Sequence, residues 1–209
     1  MAGSKTVTSI LTHLTRVIPF LTFVNNTKMD VLIEYFRQSL DFNQYDREHS
    51  TEQAVKLELF CALTSGIDHN AIGNTLKDRL VASKVVYTAL DYLLQNAPTI
   101  RSAIARDSPE WKEFVAKPSL KFVLRLLTGL AHSHVTTQLA LAVDSIPLFH
   151  HLEQISSDEH VGSLAENLLE AMRGHPTVAE RIEEVRQQTK REKKRLAMAM
   201  RENNFELSE

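Results

Sequence analysis

Cysteine, glycine and proline are all scarce in this chain of 209 residues. Cys61 is the single cysteine, so no internal disulfide can form, which is typical of a protein in a reducing compartment. Six glycines and six prolines are few for an all-β or loop-rich protein. The net charge of -2 gives the chain as a whole no strong preference for nucleic acid or acidic lipid. The composition therefore favours a helical protein.

Long apolar runs and targeting signals are also missing from the sequence. The most apolar stretch near the N-terminus, VIPFLTFV, is too short to span a membrane and contains Pro19. The first residues lack the charged start and the long apolar region of a secretory signal. We therefore expect no membrane span and a cytoplasmic protein, with the nucleus as the alternative location.

The sequence contains no signature of catalysis or of metal binding. A zinc module needs four ligands, usually with paired cysteines, and the close pairs His132/His134 and His150/His151 would point apart on a helix. We expect these histidines to be solvated or to cap helices. Activated nucleophile motifs and glycine-rich phosphate loops are absent. We expect no catalytic residue, cofactor or metal, although carboxylates that meet only in the fold stay open.

Apolar residues recur at helical spacing along nearly the whole chain. The clearest case is Ser145 to Met172, where two amphipathic segments are joined by the polar turn SSDE. Such helix pairs bury their apolar faces by stacking on neighbours, as in armadillo and HEAT repeats. We therefore predict an all-α, armadillo/HEAT-like fold of stacked helix pairs. Leu120 to Ala131 is the most hydrophobic segment, and we expect it at the centre of the core.

Capping and breaking signals predict where individual helices begin and end. Ser50 with Gln53, and Ser108 with Pro109, are typical of helix N-termini. The polar segment Asp41 to His49 is predicted to be irregular. The other predictions are helices over Val7–Ile18, Ala71–Ala82, Val85–Gln95 and Thr136–Val143, a helix start after Thr27, a helix end at Gly66, and breaks at Pro19, Pro98 and Gly174–Pro176.

The C-terminal section differs from the rest because it is highly charged and contains no helix breaker. From Thr177 to Arg201 the acidic residues come early and the basic residues late, an order that complements the helix dipole. We predict a long helix that projects from the body and is at least partly solvated. The predicted organisation is a helical domain over 1–176, this helix over 177–201 and a flexible tail over 202–209.

The basic stretch in this helix is the one local signal of function. It fits a nuclear-import or nucleic-acid patch, a basic amphipathic helix for calmodulin or a membrane surface, or a solvated helix leading to a further domain. No aromatic residue lies within it to stack on bases, which argues against nucleic acid. The candidate partner-binding residues are Arg186, Lys190, Arg191, Lys193, Lys194, Arg195, Leu196, Met198 and Met200.

Three stretches resemble one known family. They are LTRVIPFLTF (Leu14–Phe23), Ser145 to Val178, and TKREKKRLAMAMR (Thr189–Arg201). Between them, Phe42 to Ser50, Leu90 to Leu94 and Lys121 to Ala131 also resemble this family. Nearly the whole chain is therefore similar to the calossin/pushover/BIG-type giant E3 ubiquitin ligases, which are N-recognins. The matching region is the helical part just upstream of their C-terminal zinc-binding catalytic module.

The resemblance implies a function that composition cannot show. It implies part of an armadillo-like scaffold in ligases of the N-degron pathway, which ubiquitinate proteins with destabilising N-termini. It also implies other scaffold repeats, a RING-type ligase and calmodulin as partners. After Arg201 the chain reads ENNFELSE, so the zinc ligands are absent, as is the substrate-reading UBR box. A fragment, a truncated product and a diverged relative all fit this ending, and we expect no intrinsic ligase activity in any of them.

The sequence therefore favours a non-catalytic scaffold segment that positions or supports a ubiquitin-transfer module. The alternative is a stand-alone adaptor that binds calmodulin or another partner through the basic C-terminal helix. A self-contained enzyme is a further alternative, and it would require ionisable side chains that converge in a cleft.

Overall fold

The computed structural model describes residues 26–66, 71–102, 108–154 and 159–206. Side chains are described throughout these ranges except at 26–29, 71–72, 102, 159 and 201–206. The predicted helix over Val7–Ile18, the break at Pro19 and most of the SSDE turn lie outside the described residues.

The described residues form α-helices and contain no strand. This confirms the all-α prediction. The twelve helices within the described ranges are α1 (Asn26–Arg37), α2 (Phe42–Glu48), α3 (Thr51–Ser65), α4 (Ala71–Ala82), α5 (Val85–Gln95), α6 (Ala97–Ser102), α7 (Pro109–Ala116), α8 (Pro118–Ala131), α9 (Val135–Ala142), α10 (Ile146–Glu153), α11 (Glu159–Met172) and α12 (Pro176–Glu206).

Helix α8 lies at the centre of the fold, as its hydrophobicity predicts. It contacts α2, α3, α5, α7, α9 and α11. Leu120, Leu124 and Leu127 are completely buried along its length. Each buried leucine of this kind contributes about 1.5–3 kcal/mol relative to an exposed one. Helix α8 is therefore the element around which the other helices are arranged.

The predicted helix pair over Ser145 to Met172 is present as α10 and α11. These two helices pack against each other, and α11 packs in turn against α8. Phe149 of α10 and Leu168 of α11 are completely buried. The apolar faces read from the sequence are thus the faces that meet in the structure, as expected for stacked helix pairs.

The segment Asp41 to His49 is helical, so the prediction of an irregular segment was wrong. The Asp41 carboxylate accepts a hydrogen bond of 2.8 Å from the backbone N–H of Gln44 and caps the N-terminus of α2. Phe42 and Tyr45 are buried on the inner face. His49 ends the helix in the left-handed conformation. A single short apolar face and two capped ends are enough to form a helix of this length because α8 packs against it.

Most of the other predicted boundaries agree with the structure. Ser50 and Ser108 accept hydrogen bonds as N-caps of α3 and α7, and Gly66 is the C-cap of α3. Helix α1 begins at Asn26, not after Thr27 as predicted. Pro98 lies in the first turn of α6 and not between helices. Proline is tolerated there because the backbone N–H groups of a first turn have no intrahelical acceptor.

Candidate functional site

The first half of α12 is part of the body. It packs against α9, α10 and α11. Val178 and Ile182 are 1% exposed and Val185 is 8% exposed. These residues recur at spacings of three and four, which places them on one face of the helix. The predicted C-terminal helix is therefore real, and its N-terminal half is docked.

The second half of α12 is exposed at every residue from 190 to 200. The exposed fractions of Leu196, Met198 and Met200 are 61%, 56% and 65%. The helix continues to Glu206, beyond the predicted end at Arg201. The solvation expected for this part of the helix is confirmed over residues 190–200.

The docked face of α12 continues into the exposed half. Leu196 lies eighteen residues after Val178, and Met200 lies eighteen residues after Ile182. At 3.6 residues per turn this interval is about five full turns, so each pair points the same way. Met198 lies two residues from each and points about 200° away from Leu196. We call Leu196 and Met200 the distal stripe.

Lys190, Arg191, Lys194 and Arg195 occupy a different part of the helix surface, whereas Lys193 lies beside the distal stripe. Lys190 and Lys194 are four residues apart, as are Arg191 and Arg195, so they form two neighbouring rows. Met198 follows Lys190, Arg191 and Lys194 on this basic side. The exposed half of α12 therefore has one basic face and one apolar stripe.

Arg186, the first of the candidate residues, has a different environment from the others. Its Nη2 donates a hydrogen bond of 2.6 Å to Oε1 of Glu153 at the end of α10. Its side chain is only 25% exposed. Lys193 also contacts the body, because its Nζ donates a hydrogen bond of 3.0 Å to Oε1 of Gln154. The other seven candidate residues lie on the exposed surface of α12.

Sequence reasoning missed the acidic partner of Arg186. Glu153 is 13% exposed, and its Oε2 lies 2.7 Å from Nδ1 of His150, which is 9% exposed. The expectation that the His150/His151 pair is solvated was therefore wrong for His150. The spacing of three between His150 and Glu153 is visible in the sequence, but their meeting with α12 is tertiary.

A second polar cluster contains His134, a member of the other histidine pair. His134 Nε2 lies 3.2 Å from Oδ1 of Asp78, and its Nδ1 lies 2.8 Å from Oγ1 of Thr137. Thr137 is completely buried, so no substrate can reach its hydroxyl. His134 is the N-cap of α9, as a capping role predicts. Burial lowers the pKa of this imidazole, which favours its neutral form.

Lys77 lies beside this cluster and is 1% exposed. Its Nζ donates a hydrogen bond of 2.7 Å to the carbonyl of His132, at the C-terminus of α8. Burial lowers the pKa of the amine to about 8. An ammonium is favourable at a helix C-terminus, so Lys77 joins α4 to the end of α8. His134 joins the start of α9 to Asp78 of α4.

Two features are absent from the described residues. Among them, no group of three or more His, Cys, Asp or Glu side chains is arranged to hold a metal ion. No helix in the described part of the chain is long and apolar enough to cross a membrane.

Comparison with known proteins identifies the family. Residues 1–188 match the E3 ubiquitin-protein ligase UBR4 TPR-like domain. The chain belongs to the UBR4/BIG family. Protein purity of essence from Drosophila pseudoobscura pseudoobscura is 50% identical over 199 residues, 95% of this chain and 4% of that protein. No solved structure matches the chain.

More distant relatives agree with this assignment. The probable E3 ubiquitin-protein ligase DDB_G0283893 from Dictyostelium discoideum is 33% identical, over 93% of this chain and 3% of that protein. Auxin transport protein BIG from Oryza sativa subsp. japonica is 27% identical, over 90% of this chain and 4% of that protein. The chain thus spans a small fraction of each relative. The resemblance to the giant BIG-type ligases is confirmed at the level of the family.

The limits of the family match divide α12. The matched residues end at 188 and include Arg186, whereas Lys190 to Met200 lie beyond them. TPR repeats are stacked helix pairs, like armadillo and HEAT repeats. The domain description therefore agrees with the predicted architecture. Repeats of this kind provide surfaces for other proteins.

Proposed function

We propose that this chain is a non-catalytic scaffold segment of a UBR4/BIG-type ubiquitin ligase, which positions or supports a ubiquitin-transfer module. The proposal extends to the organisation of the chain: a helical domain over 1–176, followed by α12, which continues to Glu206 and links the domain to the next module. In this proposal the cytoplasm is the site of action, and the N-degron pathway supplies the substrates.

The distal stripe is the observation that carries the proposal. Apolar residues that face the body in the first half of α12 are followed, in the same direction, by Leu196 and Met200 in the exposed half. Exposed apolar side chains in line with a packed face are suited to further packing. Other scaffold repeats, a zinc-binding catalytic module and a RING-type partner ligase are the proposed occupants.

Ubiquitin transfer by a longer chain of the ligase, with its downstream module, tests the scaffold role. We expect Leu196→Gln combined with Met200→Gln to reduce transfer, because glutamine preserves the helix but removes the apolar contact. Met198→Gln is the matched control, since it changes an equally exposed apolar residue on the opposite side. Unchanged transfer by the stripe variant would count against the proposal.

The second candidate is an adaptor that binds calmodulin through the exposed half of α12. The observation in its favour is the basic face, with Lys190 and Lys194 exposed and Met198 following them in the same row. Calmodulin binds amphipathic helices through their apolar anchors.

Titration of this chain with calmodulin in calcium and in chelator separates the two candidates. The adaptor function requires calcium-dependent binding that weakens in Lys190→Glu combined with Lys194→Glu. Arg181→Gln is the control, because Arg181 is an exposed cation in the docked half of α12. An absence of binding at micromolar calmodulin would remove this candidate and leave the scaffold role unaffected.

A further inference from the structure

Charged side chains from two helices meet where α12 leaves the body. Glu153, the last residue of α10, lies between His150 and Arg186. Its two carboxylate oxygens are used separately, with Oε1 at 2.6 Å from Arg186 Nη2 and Oε2 at 2.7 Å from His150 Nδ1. Glu153 and His150 are both nearly buried. The carboxylate therefore holds α12 to an already fixed side chain of α10.

Arg186 extends the same contact towards α11. Its Nη1 lies 3.6 Å from Oε1 of Glu183 and 3.9 Å from Oε1 of Glu170. Arg173, just after α11, pairs with the same two glutamates. A guanidinium presents several donors in a fixed plane, so it can hold more than one carboxylate in a defined geometry. One arginine thus links α12 to two helices.

The position of this group along α12 is informative. Among the side chains that the structure describes in this helix, Val185 is the last buried apolar residue, and Thr189 is half-buried one turn later. From residue 190 to residue 200 the helix is exposed. The bond from Lys193 to Gln154 is exposed, and contacts of that kind contribute little. The last strong contact before the exposed half is therefore the one made by Arg186.

We propose that Glu153, Arg186 and His150 form an exit clamp, which sets the direction in which the exposed half of α12 leaves the body. Arg186 is on this view a positioning residue and makes no contact with a partner. Replacing Glu153 leaves Arg186 with only its longer contacts to Glu183 and Glu170, and replacing Arg186 leaves the nearly buried Glu153 carboxylate without a guanidinium, so the last docked turn loosens. The consequence for ubiquitin transfer rests on the proposed scaffold function, whereas the clamp itself can be tested without it.

Distance measurements between two spin labels test the clamp. Cys61→Ala first removes the native thiol. Leu139→Cys on α9 and Lys194→Cys on α12, both at exposed positions, then carry the two labels. We expect Glu153→Gln and Arg186→Gln each to broaden and shift the distance distribution. The matched controls are Arg181→Gln and Glu184→Gln, which break an exposed ion pair on the same helix and should leave the distribution unchanged.

Distributions as narrow in the clamp variants as in the controls would overturn the clamp. Circular dichroism checks that each variant is folded. Should Glu153→Gln or Arg186→Gln fail to fold, Arg186→Lys provides the test. Lysine keeps the positive charge but lacks the planar guanidinium with its several donors, so it should give intermediate broadening. In the longer ligase chain, a broadened distribution with unchanged ubiquitin transfer would reject the scaffold function and leave the clamp intact.

Discussion

At the scale of single residues, Cys61 shows how strongly the core acts on an ionisable group. Its thiol is 1% exposed on α3, with Sγ 3.5 Å from the carbonyl oxygen of Phe122 on α8. Burial raises the pKa of this thiol from 9.0 to about 12. Thiolates are the reactive form of cysteine, so Cys61 is protected both by its burial and by its raised pKa. We expect no reaction with an aromatic disulfide reagent at pH 8 until the protein unfolds.

The same shift makes the stability contributed by Cys61 depend on pH. Between pH 9 and 12 the unfolded chain loses the thiol proton while the folded chain retains it, so stability falls as pH rises. Relative to Cys61→Ala, the wild type should lose about 1 kcal/mol of unfolding free energy between pH 8 and pH 10. Urea unfolding of both proteins at the two pH values measures this difference. A constant difference would contradict it.

At the scale of helices, Gly129 allows α3 and α8 to approach closely. A Cβ added at this position would lie 2.7 Å from Oγ1 of Thr64 and 3.0 Å from the backbone N of Ser65. Alanine gains about 1 kcal/mol in helix propensity, whereas overpacking costs about 1–3 kcal/mol. Because backbone atoms are among the neighbours, we expect Gly129→Ala to be destabilising overall.

Urea unfolding measures the effect of Gly129→Ala, and a double-mutant cycle identifies its cause. Thr64→Ala removes the closest atom but leaves the backbone of α3 in place. The combined variant should therefore recover only part of the lost stability. A Gly129→Ala protein as stable as the wild type would show that the two helices can separate at no measurable cost.

Helices of different kinds differ in how far the sequence predicts them. Helix α8 and the α10–α11 pair were predictable because a buried stripe at a spacing of three and four is a local pattern. Helix α2 was missed because most of its residues are polar, and Asp46 finds its partners only in the fold: the Tyr92 hydroxyl and the Ser119 backbone N–H donate to it. The Glu153–Arg186 pair was missed for the same reason. The sequence identifies the basic and apolar residues of α12 as candidates, but it does not show that the helix divides into a docked half and an exposed half.

At the scale of the whole molecule, α12 belongs to two parts with different energetics. Among the side chains that the structure describes, a chain that ends after Thr189 loses only exposed ones, and such changes usually alter stability by about 0.5 kcal/mol or less. A chain that ends after Gly174 also loses the burial of Val178, Ile182 and Val185. Each contributes about 1.5–3 kcal/mol when fully buried, so this truncation should cost about 3 kcal/mol or more.

Urea unfolding of the two truncated chains beside the full chain distinguishes these contributions. The slope of free energy against urea should change only for the shorter chain, because that slope follows the area exposed on unfolding. Loss of helical signal is expected from both, since both remove helical residues. If the chain ending after Thr189 unfolds as easily as the one ending after Gly174, the exposed half stabilises the body. The helix would then be one cooperative unit and not a docked segment followed by an arm for further packing.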